Sequence, residues 1–390
     1  MTEYVSGVNP DVLRWARESS GFTIQDVAKL LKKDESKISD WETGEASPTY
    51  VQLEKLAYEL YKRPVAIFFF PEPPREPDPA ESFRTLPDFE IANLIPDTKH
   101  AIREAQAMQI ALRELARGID LNEKHLFQDI RVEPWDDVSS VAQTVRDYLE
   151  VPLDQQSKWS GPDKALKEWR DAVQDSGVFV FKRSFKQKDI SGFSLQDDEF
   201  PVVYLNNSAA KSRQIFSLFH ELAHLLLRTS GVTKLNDQFV NILSDEAQDI
   251  EVFCNKFASE FLVPPDDFNE RLNVIESPEE TAVRLSGYYK VSREVILRRL
   301  LDKRRIQPGY YHEKVAEWQE EFEDRRKSQR PGGDYYSTQA TYLGRKYLAL
   351  AFRQFYEGNV TLDELAGYLN VKAKNVPGLE RYVVGSALAR

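Results

Sequence analysis

The chain contains His220-Glu221-Leu222-Ala223-His224 inside an apolar stretch over 216–227. Residues four apart on a helix lie one turn above each other, so His220 and His224 project together and can share one metal ion. Glu221 stands about a quarter turn away, beside such an ion rather than on it. A carboxylate there can take a proton from metal-bound water. The chemistry implied is metal-assisted hydrolysis. Ile215, Leu218, Phe219, Leu222, Leu225 and Leu226 have the spacing of one buried helix face. The stretch is too apolar for a solvated helix, so the two histidines and the glutamate need partners. An ordinary core helix lined by two histidines is the competing explanation, and a third ligand downstream weighs against it.

That ligand is expected in a second helical stretch over 245–258, with Ile250, Phe253, Cys254, Phe257 and Phe261 on its inward side. A catalytic zinc site takes three protein ligands and keeps a position open for water. A carboxylate from this helix would complete the set, and spacing alone does not choose among Glu246, Asp249 and Glu251.

Residues 213–227, followed by Glu251-x-x-Cys254-Asn255-x-Phe257-Ala258-x-x-Phe261-Leu262-x-Pro264, resemble the ImmA/IrrE family of metallopeptidases. That family shows a strand ending in Asn, an H-E-x-x-H helix, then E-x-x-A-N-x-F-A and a proline. Matched residue by residue, the resemblance gives Glu251 the third-ligand position, and Cys254 stands where Ala is usual. It covers roughly residues 80–300. It implies a minimal zincin fold, zinc as the ion with manganese as the alternative, and a protein substrate, often a helix-turn-helix repressor. It also implies that a sheet edge within 190–206 receives the substrate as an added strand, with Tyr204 and Asn206 as substrate-binding candidates. On this reading Glu221 accepts the water proton and later returns it to the leaving amine. Tyr204, Tyr288, Tyr289 and His312 are the candidates for a second donor to the oxyanion.

The elements that must position these residues begin after a separate N-terminal module. Residues 9–63 read as a small helical bundle. Thr23 caps a helix over 24–31, Asp34 can cap one over 35–42, Gly44 ends it, and Pro48 helps start 49–61. Ile38-Ser39-Asp40-Trp41-Glu42-Thr43-Gly44, with Pro48, is similar to the signature of phage-repressor (Cro/C1, XRE-type) helix-turn-helix domains. Lys32, Lys33, Ser36, Lys37 and Ser39 are the residues placed to meet DNA. Against that, residues 12–63 carry 9 Lys or Arg and 9 Asp or Glu, so the module is neutral, while phosphate contacts supply most affinity in such modules. The alternative is a protein-interaction or autoinhibitory role for the same fold. Pro64 and Phe68 to Phe70 are expected to pack the last helix onto the next segment of the chain.

A proline-rich linker over 71–79 is the clearest boundary, and Phe83-Arg84-Thr85-Leu86 resembles the start of the peptidase region in fused family members. Amphipathic helices are expected over 97–117, 137–150 and 162–176, and strands over 178–183, 190–195 and 201–205. His100 and His125 are read as surface or structural histidines, and Arg213 as a structural salt-bridge former. The basic cluster Arg298, Arg299, Lys303, Arg304 and Arg305 is read as a solvated helix face. A charged helix over 312–328 is broken by Pro331-Gly332-Gly333-Asp334. A last helical module over 337–385 is suited to a partner, a signal or another protomer.

The chain of 390 residues, 41% hydrophobic, suits two or three domains. Its single cysteine excludes an internal disulfide. Nothing resembles a signal peptide or membrane span, and a cytoplasmic location is expected. A net charge of −11 gives no general support for nucleic-acid binding. The expected fold is mainly α with a small α+β zincin-like peptidase domain. Residues 1–70 form the helix-turn-helix bundle, 71–80 the linker, 81–306 the peptidase domain and 307–390 a C-terminal helical module. The expected function is that of a zinc endopeptidase and regulator acting on a helix-turn-helix repressor. A DNA-binding regulator or partner-binding switch with a structural or sensory metal site is the alternative.

Overall fold

The computed structural model describes residues 4–76, 83, 91, 93–121, 123–234, 243–272, 276–328 and 334–388. Contacts divide the chain into two compact units. One holds residues 1–82, 87–104 and 185–187, the other 83–86, 105–184 and 188–390.

The first unit is built on helices Pro10–Ser19, Ile24–Leu31, Glu35–Thr43 and Tyr50–Glu54, the last running on as a π-helical turn over Lys55–Tyr61. Thr23 and Thr49 each close a capping box, with Asp26 and Gln52, which satisfies the first free backbone N–H groups of their helices. Asp34 occupies the expected cap position, but its side chain makes no capping hydrogen bond. Gly44 ends the third helix at φ +81°, a left-handed conformation that suits glycine. Val12, Ala16, Val27, Ile38, Trp41, Leu53, Leu56 and Phe68 close the core. Inside it Arg17 grips Glu42 at both oxygens, Nε to Oε1 at 2.7 Å and Nη2 to Oε2 at 2.9 Å. Phe68 is buried, whereas Phe69 and Phe70 are exposed, so the expected triple aromatic anchor is a single one.

The second unit centres on a four-stranded sheet of β1 (Phe179–Arg183), β2 (Ile190–Leu195), β3 (Val202–Asn206) and β4 (Val232–Lys234), in the order β1-β3-β2-β4. β1 and β3 are parallel; β2 runs antiparallel to both β3 and β4. Only β4 lacks a sequence expectation: Val-Thr-Lys is too short to show a strand period. Val180, Val203 and Leu205 share one core with Ile215, Leu218 and Leu222 of the helix Lys211–Leu226. Phe181, Phe193 and Tyr204 form the opposite, aromatic face, with Phe193 and Tyr204 stacked at 5.2 Å.

Helix Asp245–Leu262 packs along Lys211–Leu226. Phe219 and Phe261 stack at 4.1 Å, and Trp169 of helix Pro162–Asp175 meets both edge-on at 5.0 and 5.2 Å. Such aromatic contacts add specificity to apolar burial, and here they fix the two helices next to His220. The helices expected near 97–117 and 137–150 are present as Pro96–Ala116 and Val138–Tyr148. Residues 308–388 add helices Pro308–Ser328, Tyr335–Leu343, Arg345–Tyr356, Leu362–Tyr368 and Val376–Leu388, and Tyr311 and Trp318 join the main core. Linker residues 77–79, the Arg84-Thr85-Leu86 motif and Pro331-Gly332-Gly333 lie outside the described residues. No described helix is long and apolar enough to cross a membrane.

Candidate metal centre

Helix Lys211–Leu226 presents His220 and His224 one turn apart, with Nε2 atoms 3.1 Å from each other. Glu251, from the facing helix, places Oε2 3.4 Å from His220 Nε2 and Oε1 3.2 Å from His224 Nε2. The two alternatives that spacing left open, Glu246 and Asp249, are exposed on the outer side of the same helix. The three ligand atoms lie within 4.8 Å of one another, and no other described group of three or more His, Cys, Asp or Glu side chains has this arrangement.

The far side of each ring is already committed. Asn255 Oδ1 lies 3.1 Å from His220 Nδ1. Thr229 Oγ1 lies 3.3 Å from His224 Nδ1 and donates to the His224 carbonyl at 3.0 Å, so it accepts from the ring. Both Nδ1 atoms therefore carry the proton, which turns the Nε2 lone pairs inward. Neither oxygen of Glu251 accepts a hydrogen bond, although the side chain is 0% exposed. A buried carboxylate without donors is costly, and a cation between it and two imidazole lone pairs removes that cost. These donors fit a metal ion.

Electrostatics agree with this. Burial pushes the Glu251 carboxyl up, but His224 and His220 outweigh it and hold it down at about 2. Burial pulls His224 down, while Cys254 and Glu251 raise it above its ordinary value. Burial pushes the Cys254 thiol up to about 11. Cys254 is thus a neutral thiol near pH 7, and the carboxylate is the partner that matters.

Glu221 lies next to the cluster, fully buried. Its Oε2 accepts from Ser194 Oγ at 2.7 Å and its Oε1 from Thr233 Oγ1. Ser194 comes from β2 and Thr233 from β4. Gly231 immediately precedes β4, and a Cβ there would overlap the His224 ring, so only glycine lets the backbone pass so close. Arg213 ties the helix to the sheet through Ser191 Oγ at 3.3 Å and the Lys234 carbonyl at 2.6 Å, a structural role carried by hydrogen bonds to neutral groups where a salt bridge was expected.

Other expected residues stand elsewhere. Tyr204 is buried on the aromatic face of the sheet, not on the helix face. Asn206 donates to the Ile190 carbonyl and accepts from Ser208 N–H, both at 3.0 Å, and so serves the β3 turn. Both stand on the strand face opposite the metal-site helix, because the period-two alternation of β3 gives the helix face to Val203 and Leu205. The expected free edge within 190–206 is also absent: β3 is paired on both sides, and the outer edge of β2 is taken by β4. Tyr288 accepts from Arg271 at 2.6 Å, Tyr289 donates to Asp267 at 2.7 Å, and His312 packs edge-on against Tyr311. His125 pairs with Asp120 at 2.9 Å. Within the basic cluster, Arg299 is buried against Glu260 and Arg298 bonds Asp302. In the first unit Lys32, Lys33 and Ser36 are exposed, and Lys37 and Ser39 half-buried.

Sequence reasoning assigned no role to Asn255, Thr229, Ser194, Thr233 or Gly231. Asn255 alone carried a signal, as part of the third-ligand motif. Ser194 stands 27 residues before its partner, and Thr229, Gly231 and Thr233 lie in a short segment after the helix that shows no period of its own.

A candidate metal centre in one unit and a helix-turn-helix bundle in the other are the features that define the class of this protein. Comparison with known families agrees: residues 173–301 match the family model of the IrrE N-terminal-like domain, a peptidase family, and residues 11–62 match a helix-turn-helix domain. The chain thus joins a metallopeptidase-type domain to a helix-turn-helix domain. No curated protein matches it.

Proposed function

We propose that this protein is a zinc-dependent endopeptidase that hydrolyses a peptide bond in a protein substrate. The observation that carries the reading is the convergence of His220 Nε2, His224 Nε2 and a donor-free Glu251 carboxylate, with Glu221 one residue from the first ligand. His220, His224 and Glu251 would hold the ion, with zinc the best match to two imidazoles and one carboxylate and manganese the alternative. When bound, the metal supplies Lewis acidity to the scissile carbonyl and to the attacking water. Glu221 takes the proton of that water and returns it to the leaving amine. A purely structural site has no use for Glu221.

The substrate we infer is a helix-turn-helix repressor in the cytoplasm, so that cleavage changes gene expression during stress or the response to a mobile element. The N-terminal bundle recruits the enzyme to DNA or to that repressor. Lys32, Lys33, Ser36, Lys37 and Ser39 are the residues for a DNA contact. One observation favours the second reading, a regulator or partner-binding switch with a structural or sensory metal. His220 is 2% exposed and Glu221, His224 and Glu251 0%.

Metal content and cleavage of repressors encoded nearby, measured on wild type and Glu221→Gln, separate the two. Under the peptidase reading Glu221→Gln keeps its metal and loses at least ~100-fold in cleavage rate, the range for a general base. Equal cleavage by a metal-replete Glu221→Gln preparation would remove Glu221 from the chemistry. Metal uptake without cleavage by the wild type would favour the switch.

A further inference from the structure

We infer that Ser194 and Thr233 are positioning residues for Glu221, gripping its two carboxylate oxygens from two different strands of the sheet. The inference rests on the peptidase reading and deepens it.

Both hydroxyls are buried, Ser194 at 0% and Thr233 at 1% exposure. Ser194 Oγ accepts the Gly231 backbone N–H at 3.1 Å, which directs its own proton to Glu221 Oε2 at 2.7 Å. Thr233 Oγ1 donates to Oε1. An ionised carboxylate offers about four lone-pair sites. Two are taken here, one on each oxygen, so the group is fixed about its terminal torsion and one lone pair per oxygen stays available for a water proton. The choice of hydroxyls matters. A backbone N–H can only donate, whereas a hydroxyl donates to a carboxylate and accepts from a carboxylic acid. The same two side chains can therefore hold Glu221 before and after it takes a proton, which is what a group that first accepts and then returns a proton requires.

The fold builds this grip close to the ligands. β4 pairs with the outer edge of β2, Val232 opposite Phe193 and Thr233 opposite Gly192. A register shift between Ile190 and Gly192 breaks the pairing at Ser191. A Cβ at Gly192 would stand 3.2 Å from the Tyr204 carbonyl oxygen and 3.4 Å from Ser217 Cβ, so the helix bearing Glu221 lies close against β2. Three points of the segment 229–233 touch the centre: the Thr229 hydroxyl at His224 Nδ1, the Gly231 backbone at the His224 ring, and the Thr233 hydroxyl at Glu221.

The test uses the full chain and two readouts. On metal-free protein, urea unfolding compares Ser194→Ala and Thr233→Val in the wild-type and Glu221→Leu backgrounds. Each hydroxyl deletion is expected to lower the folding equilibrium constant at least fivefold when Glu221 is present and to have little effect when Leu replaces it. Equal losses in both backgrounds would overturn the grip, whether or not the protein is a peptidase. On metal-loaded protein cleaving a helix-turn-helix repressor, the Ser194→Ala/Thr233→Val double variant is expected to lose at least tenfold in kcat. KM and metal content should be unchanged, and Thr233→Ser alone should retain wild-type kcat. Unchanged kcat in the double variant would overturn the positioning role alone. A wild type that binds metal and cleaves nothing would instead remove the peptidase reading, and the positioning role with it.

Discussion

Each unit of this protein buries a charged cluster, and the two differ in whether the cluster is complete. In the helix-turn-helix unit, Arg17 meets Glu42 through two charge-assisted hydrogen bonds and also donates to the Phe22 carbonyl at 3.0 Å. In the peptidase unit, His220, His224 and Glu251 face one another with both carboxylate oxygens lacking a hydrogen-bond donor. A buried charge whose hydrogen-bonding capacity is met belongs to the architecture. One whose capacity is unmet, with lone pairs aimed at a common point, has the form of a binding site. The contrast explains why the same residue type, a buried glutamate, is read as a core residue at 42 and as a ligand at 251.

The largest test of that contrast is metal removal by mutation. His224→Ala and Glu251→Ala should each reduce bound metal from about one ion per chain to none, measured by elemental analysis. Glu42→Ala should leave the metal content untouched. If Glu251→Ala retained its ion, the contrast would fail at its strongest point.

Next in size is the internal pair. Glu42→Ala strands a buried guanidinium and should destabilise the helix-turn-helix unit by about 3–5 kcal/mol, whereas replacing both partners together by Met and Leu should be nearly neutral. Thermal unfolding followed by tryptophan fluorescence reads both, since Trp41 lies in that core. An effect of the double change as large as that of Glu42→Ala would mean the pair contributes more than mutual neutralisation.

A third buried charge sharpens the comparison from another side. Lys182 on β1 is 5% exposed, and burial, reinforced by Arg170 and Lys211, pushes its ammonium down to about 6. In the unfolded chain it returns to about 10.4. The unfolded state therefore binds the extra proton between these values, and this residue makes stability rise with pH across that window and level off below about 6. Lys182→Met should remove that slope and stabilise the protein at pH 7 by roughly 2–4 kcal/mol, an order-of-magnitude figure. Urea unfolding at pH 7 and pH 9 measures both.

The smallest effect is expected at the exposed face of the helix-turn-helix unit. If it binds DNA, Lys37→Ala should lower the slope of log affinity against log salt by about 1, read by fluorescence anisotropy with duplex DNA. Equal numbers of basic and acidic residues over 12–63 keep the total slope shallow.

Much of this protein was legible without coordinates. The helix spacing that joins His220 to His224, the cap at Thr23 and the turn at Gly44 are all local. Each is decided within about one helical turn, where propensity and hydrogen-bond geometry act on neighbouring residues. The apolar faces of the long helices Pro96–Ala116, Val138–Tyr148, Pro162–Asp175, Lys211–Leu226 and Asp245–Leu262 were legible for the same reason: their period is contained in the segment itself.

What only the tertiary structure decided is which distant groups meet. Glu246, Asp249 and Glu251 are equivalent by spacing and only the family resemblance pointed to Glu251; in the structure it is Glu251 that faces the histidines, beside the packing of Phe261 on Phe219. Tyr204 and Asn206 were candidates by position, yet the sheet turns one to its aromatic face and uses the other to tie β3 to β2. β4 left no trace in the sequence, because three residues cannot show a period. Its pairing with β2, across about forty residues of chain, places Thr233 on Glu221 and closes an edge expected to be free. Local preferences are written in each segment, while the partners of a buried polar atom depend on how the segments pack, where each contact is fixed by all the others at once.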